Sequence, residues 1–269
     1  MNRIFSLVIV TSILCFCQMA QAEQVKTHRF ALVIGNQSYT TAPLLNPIND
    51  AIDIASRLNE IGFKVTTLTD IKTQQIEPLI ESFYQQLTHF NDDKVIALLY
   101  YAGHAVQLQH RNYLVPVDVK LDNYASLLFS LYDINKLFKQ IPRSNNINNI
   151  IIIDACRNNP FTQINTKVGT AIISDGLAPI RAPSGTLIAY ATAPGNVSFD
   201  GKGKNGIYTK HLLAHIDEQI TVEEVFKKVR TGVAKETKNQ QVPWEHSSLF
   251  EDLFINPPKN KDIPDLMVF

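Results

Sequence analysis

Cysteine is almost absent, with three in 269 residues. Two of them, Cys15 and Cys17, fall in an N-terminal apolar stretch that reads as a leader, so Cys156 stands alone once the leader is cut. A solitary thiol closes no disulfide within its own chain. A stapled scaffold is thereby excluded, and Cys156 is either a buried inert thiol or a reacting one. Long apolar runs are missing beyond residue 22. The leader's own run, Ile4 to Cys17, is shorter than the ~20 residues of a bilayer crossing, so the mature form is expected to carry no membrane anchor. Neither charge is in excess: Lys plus Arg and Asp plus Glu number 25 each, which leaves no field to draw nucleic acid or anionic lipid. Nucleic-acid binding has no support. Acid clusters suited to calcium and internal repeats are also lacking. His211 and His215 stand four apart on an expected helix, but the residues between them lack the glutamate of a zinc peptidase. They are read as surface or packing residues, and neither a metal nor a cofactor is expected.

Arg3, the apolar run and the small-x-small triplet Ala20-Gln21-Ala22 make a secretory leader over residues 1–22, cut after Ala22. A secreted or periplasmic protein is expected. Four short apolar runs follow: Phe30 to Ile34, Val95 to Tyr101, Ile150 to Ile153 and Thr186 to Tyr190. Rich in Ile, Val and Leu without alternation, they suit strands covered on both faces. Helical patterns lie between them: one opened by Asn49 or Asp50 and ending near Gly62, then Gln75 to Phe90, Leu131 to Ile141, Tyr208 to Ile216 and Val222 to Lys235. Strand and helix alternate, which argues an α/β sandwich with a mostly parallel sheet. The asparagine-rich SNNINN at 144–149 reads as a surface turn.

Polar residues follow the strands. Gly35-Asn36 ends the first, Gly103-His104 the second and Cys156-Arg157 the third, and open parallel sheets bind ligands at that carboxyl edge. A cysteine nucleophile needs thiolate, and an unperturbed thiol of pKa about 8.5 supplies only a few per cent at neutral pH. An imidazole that takes the proton removes the difficulty. Of the seven histidines, only His104 has glycine before it and a strand leading into it, so His104 and Cys156 form the expected dyad.

The segments ALVIGNQSY, NPINDA, YYAGHAVQ with NYLVPVD, IIIDACRNNPF and PWEHSSL resemble the caspase-like cysteine peptidases. The likeness is closer to the metacaspase, paracaspase and bacterial orthocaspase branches than to animal caspases. His104 lies 52 residues before Cys156, which agrees with the caspase spacing of ~50. The resemblance implies a caspase-like three-layer α/β/α sandwich in a single domain over 23–256, large-subunit-like over 28–165 and small-subunit-like over 180–256, with a tail at 257–269. It further implies Cys156 as nucleophile, His104 as general base, and an oxyanion hole of the backbone N–H groups of Cys156 and Ala105. Alanine stands at 105 where the family usually has glycine, and serves only if its φ is negative. In the metacaspase-like branches an aspartate two residues before the cysteine works with an Asn-Asp pair after the first strand. Asp154 and Asn49-Asp50 match these, and two carboxylates in one pocket ask for a guanidinium or ammonium. The expected substrate is a peptide or protein cut after Arg or Lys. Asp200 is a weaker third acid on a bordering loop, and the segment between Lys167 and Arg181 is a candidate for self-cleavage.

Other readings stand beside these. Asp154 can cap a helix starting near Arg157, Asp50 can cap its own helix, and Arg157 serves structure. Trp244 is read as core packing or a loop brace. A binding module with faded catalysis and a thiol-dependent transpeptidase are the two rival functions.

Overall fold

The computed structural model describes residues 25–90, 93–120, 123–156, 173–174, 177–193, 201 and 203–258. The leader with its cut after Ala22, Arg157, Lys167, Asp200 and the end of the tail lie outside them. The elements run β1 (Thr27–Gly35), α1 (Pro47–Glu60), β2 (Lys64–Thr69), α2 (Thr73–Leu87), β3 (Lys94–Leu108), β4 (Arg111–Leu114), α3 (Tyr124–Ser130), β5 (Tyr132–Asp133), α4 (Ile134–Gln140), β6 (Ile147–Cys156), β7 (Ile173–Ser174), β8 (Thr186–Tyr190), α5 (Ile207–Leu213), α6 (Val222–Glu236) and β9 (Trp244–Ser247). Among the described residues no helix is long and apolar enough to cross a membrane.

The main sheet has the order β2-β1-β3-β6-β8-β9, parallel except for β9. Its central strands are apolar on both sides because each face is covered. Leu32, Leu99 and Ile151 pack with Ile80 and Tyr84 of α2 and Leu137 of α4. Val33, Leu98 and Ile152 pack on the other side with Ile54 and Leu58 of α1, Leu212 of α5 and Val225 and Val229 of α6. The observed fold is the α/β sandwich that the alternation of runs argues, in the three α/β/α layers that the resemblance implies.

Helix starts follow local chemistry. Thr221 and Glu224 form a reciprocal capping box on α6. Asn46 flanks Pro47 at the start of α1, so neither Asn49 nor Asp50 is the cap. The helix expected over 131–141 begins only at Ile134, because Tyr132 and Asp133 pair with β4 and the Asp133 carboxylate accepts the Asn135 N–H.

Further corrections concern edges. Strand β2, KVTTLT, is largely exposed and shows no apolar run to detect. The asparagine segment is only partly a turn: Asn148 and Asn149 belong to β6, and Asn149 is buried. Trp244 is not in the core; it sits on β9 at the sheet's edge and is 49% exposed.

The strand β3 does not end at His104. It stays in the main sheet up to the register pair His104 with Cys156, then continues from Ala105 in antiparallel pairing with β4. Gly103, at φ +155°, stands at this hand-over, in backbone that side-chain-bearing residues rarely adopt.

Candidate active site

Position 156 closes β6, and position 104 is its register partner on β3. Neighbouring strands lie about 4.8 Å apart, so the backbone alone joins two residues far apart in sequence.

The His104 imidazole is 3% exposed. Its Nε2 lies 2.7 Å from the Ala42 carbonyl oxygen. A carbonyl only accepts, so Nε2 carries the hydrogen and Nδ1 is the nitrogen that takes up a proton. The Tyr39 ring sits against the imidazole, centroids 4.4 Å apart and planes at 53°. The His104 N–H donates to the Tyr39 hydroxyl at 2.9 Å, and its carbonyl accepts from the Tyr101 hydroxyl at 2.8 Å. Burial pushes both phenols above their usual range, so they remain neutral.

A Cβ on Gly103 would lie 2.6 Å from the Tyr39 hydroxyl oxygen and 2.9 Å from that of Tyr101. Both phenols are buried and cannot swing aside. Gly103→Ala is therefore expected to cost about 2 to 4 kcal/mol of stability from overpacking and backbone strain, and to lower turnover in what remains folded. Urea unfolding together with active-site titration checks both effects; an unchanged midpoint would contradict the steric reading.

Val115 N–H donates to the His104 carbonyl at 3.1 Å. This makes Ala105 and its partner Leu114 a non-hydrogen-bonded antiparallel pair. The Ala105 N–H consequently faces away from β4, toward the side where β6 ends. Ala105 is not among the residues of positive φ, so alanine presents its N–H there without the strain that glycine would relieve.

The acids come from three elements. Asp154 on β6 accepts the Thr209 hydroxyl of α5 at 2.6 Å and the Tyr100 hydroxyl of β3 at 3.4 Å. Those two hydroxyls are 2.5 Å apart. Asp50 on α1, 3% exposed, accepts the N–H of Gly206 at 3.0 Å, the residue flanking the start of α5. Burial first, then the charges of Asp154 and Asp50, raise the Tyr100 phenol well above its usual range. Both carboxylates thus bear on one buried hydroxyl. Like charges bearing on one buried group repel, and an incoming cation relieves them.

Asp50 is inside the first turn of α1 and reaches across to α5 instead of capping its own helix, which corrects that alternative. Asp154 lies within β6, and the expected helix near Arg157 falls outside the described residues, as does Asp200. The loop before α5 is fastened to α1: Lys204 Nζ lies 2.6 Å from Asp53 and Asn205 Nδ2 3.0 Å. Burial raises the Asp53 carboxyl, but these two hydrogen bonds and the Lys204 charge outweigh it and hold the group below its usual range. His211 pairs with Glu236 and His215 with Glu218, each at the protein surface.

Sequence reasoning did not find Tyr39, Tyr100, Tyr101, Thr209 or Gly206. The tyrosines stand inside quoted motifs, yet the partners of their hydroxyls depend on register; Thr209 carries no local signal at all.

A Gly-His junction beside Asp-Ala-Cys on the neighbouring strand, in a sheet between two helix layers, defines the class of caspase-like cysteine peptidases. The caspase domain family model matches residues 28–254, and the chain belongs to that family of cysteine peptidases. It is similar to mucosa-associated lymphoid tissue lymphoma translocation protein 1 of Homo sapiens, 29% identical over 238 residues, 86% of this chain and 27% of that protein. The homologue from Mus musculus gives the same figures. The chain thus spans about a quarter of the length of these curated relatives. In structure it resembles caspase-1 from Spodoptera frugiperda, with a TM-score of 0.61 and 17% identity over 88% of this chain and 93% of that one.

Proposed function

We infer that this peptidase cuts after Arg or Lys, through a thiolate at Cys156 and an imidazole at His104, outside the cytoplasm. The register pairing of positions 104 and 156 carries the reading of the dyad. In the proposed sequence His104 Nδ1 takes the thiol proton, and sulfur attacks the scissile carbonyl. The oxyanion rests on the N–H groups of Cys156 and Ala105. The imidazolium then gives its proton to the leaving amine, a thioester remains, and water activated by His104 releases the acid product. The Ala42 contact occupies Nε2 and leaves Nδ1 as the nitrogen for the first step.

Arg or Lys specificity is supported by Asp50 and Asp154 converging on Tyr100. Two neighbouring carboxylates reject an aspartate side chain by repulsion and accept a guanidinium by paired hydrogen bonds. The ordinary φ of Ala105 removes one ground for a module with faded catalysis.

The test uses protein from the exported fraction, its N-terminus read at Glu23, against fluorogenic amides following Arg, Lys or Asp. Turnover of the Arg and Lys peptides, at least about 100-fold faster than the Asp peptide, is expected. Cleavage of the Asp peptide alone would overturn the specificity, and an intact leader would overturn the location.

A further inference from the structure

The geometry points to Tyr39 as a positioning residue for the His104 imidazole, an inference that rests on reading His104 as the base. Two independent contacts meet at this one side chain. Its hydroxyl accepts the His104 backbone N–H at 2.9 Å, which fixes where the residue starts. Its ring lies against the imidazole at 4.4 Å, which limits where the side chain can rotate. The same hydroxyl donates to the Val115 carbonyl at 3.1 Å, tying the phenol to the strand connection beyond the hand-over of β3.

The third hold on the ring comes from the same loop. Ala42, three residues on, supplies the carbonyl that accepts Nε2–H, and it does so at φ +57°. That conformation is strained for alanine, by about 1 kcal/mol or more, and persists only where surrounding contacts hold it. Those contacts are present. The Asp70 carboxylate accepts the N–H groups of Gln37 and Ser38 at 2.8 and 2.9 Å and the Ser38 hydroxyl at 2.6 Å. Burial raises the Asp70 carboxyl, but the Ser38 and Gln37 hydrogen bonds outweigh it and hold the group below its usual range. Leu44 N–H closes the loop onto the Gln37 carbonyl at 3.1 Å. Residues 37 to 44 thus form one anchored unit whose two inward contributions, a phenol and a carbonyl, both end on His104.

The consequence is selective. Among the described residues the side-chain contacts of Tyr39 run to His104, Val115 and Tyr101 and not to Asp50, Asp154, Tyr100 or Thr209, so its loss alters the reacting geometry and not the fit of the substrate. Tyr39→Phe keeps the ring and removes the hydroxyl; Tyr39→Leu removes both. With kcat expressed per titrated active site, a decrease of about tenfold is expected for Tyr39→Phe and about 100-fold for Tyr39→Leu, with KM within about twofold of the parent. A purely structural role would reduce the fraction of titratable sites and leave the rate per site intact, which would overturn the proposal. If the leucine form does not fold, the phenylalanine form carries the test alone.

A second readout needs no peptide: alkylation of Cys156 by iodoacetamide at neutral pH. It is expected to slow in the order parent, Tyr39→Phe, Tyr39→Leu. Should His104→Gln leave alkylation untouched, the dyad itself is wrong. Should His104→Gln slow it while both Tyr39 variants match the parent, the dyad stands and the positioning role is lost.

Discussion

Replacing His104 with glutamine will lower kcat for peptide amides by about 10³-fold or more, and the deficit will depend on the leaving group. Two functions vanish together. The thiol loses the base that takes its proton, and an unperturbed thiol, of pKa about 8.5, is only a few per cent nucleophilic at neutral pH. The expelled amine also loses its proton donor, and an unprotonated amide nitrogen is a far poorer leaving group than a phenolate. A p-nitrophenyl ester of the same acyl group needs no such proton and will lose much less. Glutamine can still donate to the Ala42 carbonyl, so its unfolding midpoint is expected near the parent's. Steady-state kinetics on matched amide and ester substrates measures the difference. Equal losses on both would mean that His104 acts only through the thiol.

The second large effect concerns Asp154. Its carboxylate is held by the Thr209 and Tyr100 hydroxyls, and both can donate equally to the amide oxygen of asparagine. Asp154→Asn therefore removes charge while preserving the packing. The expected loss in kcat/KM on an Arg peptide is about 100-fold or more, in line with truncating one side of a desolvated charge pair. Asp50→Asn should act in the same direction, since the Gly206 N–H again retains an acceptor. The two losses will not add, because both charges bear on one cation. Iodoacetamide reactivity of Cys156 serves as the control and is expected to stay at the parent value. A drop of the same size on a peptide with a neutral residue before the scissile bond would show that Asp154 serves structure instead.

The architecture was readable because covered parallel strands leave unmistakable marks. Runs such as Val95 to Tyr101 have no polar side, and only a sheet with helices on both faces accommodates them. The location of the site follows from the rule that open parallel sheets bind ligands at the carboxyl ends of their strands, which brings His104 beside Cys156 whatever lies between. Details set by pairing escaped. Strand β2 is polar because it lies at the edge, β3 continues past His104 because Gly103 permits the turn and β4 supplies new partners, and Trp244 belongs to an edge strand that composition cannot distinguish from core. The acids were found as residue types, through resemblance to a family motif. What orients them was not: Thr209 and Gly206 sit more than 150 residues beyond Asp50 (156 for Gly206), and only the folded sheet brings α5 against α1. The same holds for the tyrosines around His104, where register decides which hydroxyl meets which backbone group.

The most direct trial of the whole account is covalent labelling with an acyloxymethyl ketone bearing an arginine side chain, read by peptide mapping. A single adduct on Cys156, formed at least about 100 times more slowly in the His104→Gln protein, is the predicted result. Modification at another residue, or equal rates with and without the imidazole, would contradict the claim that these two groups work as one centre.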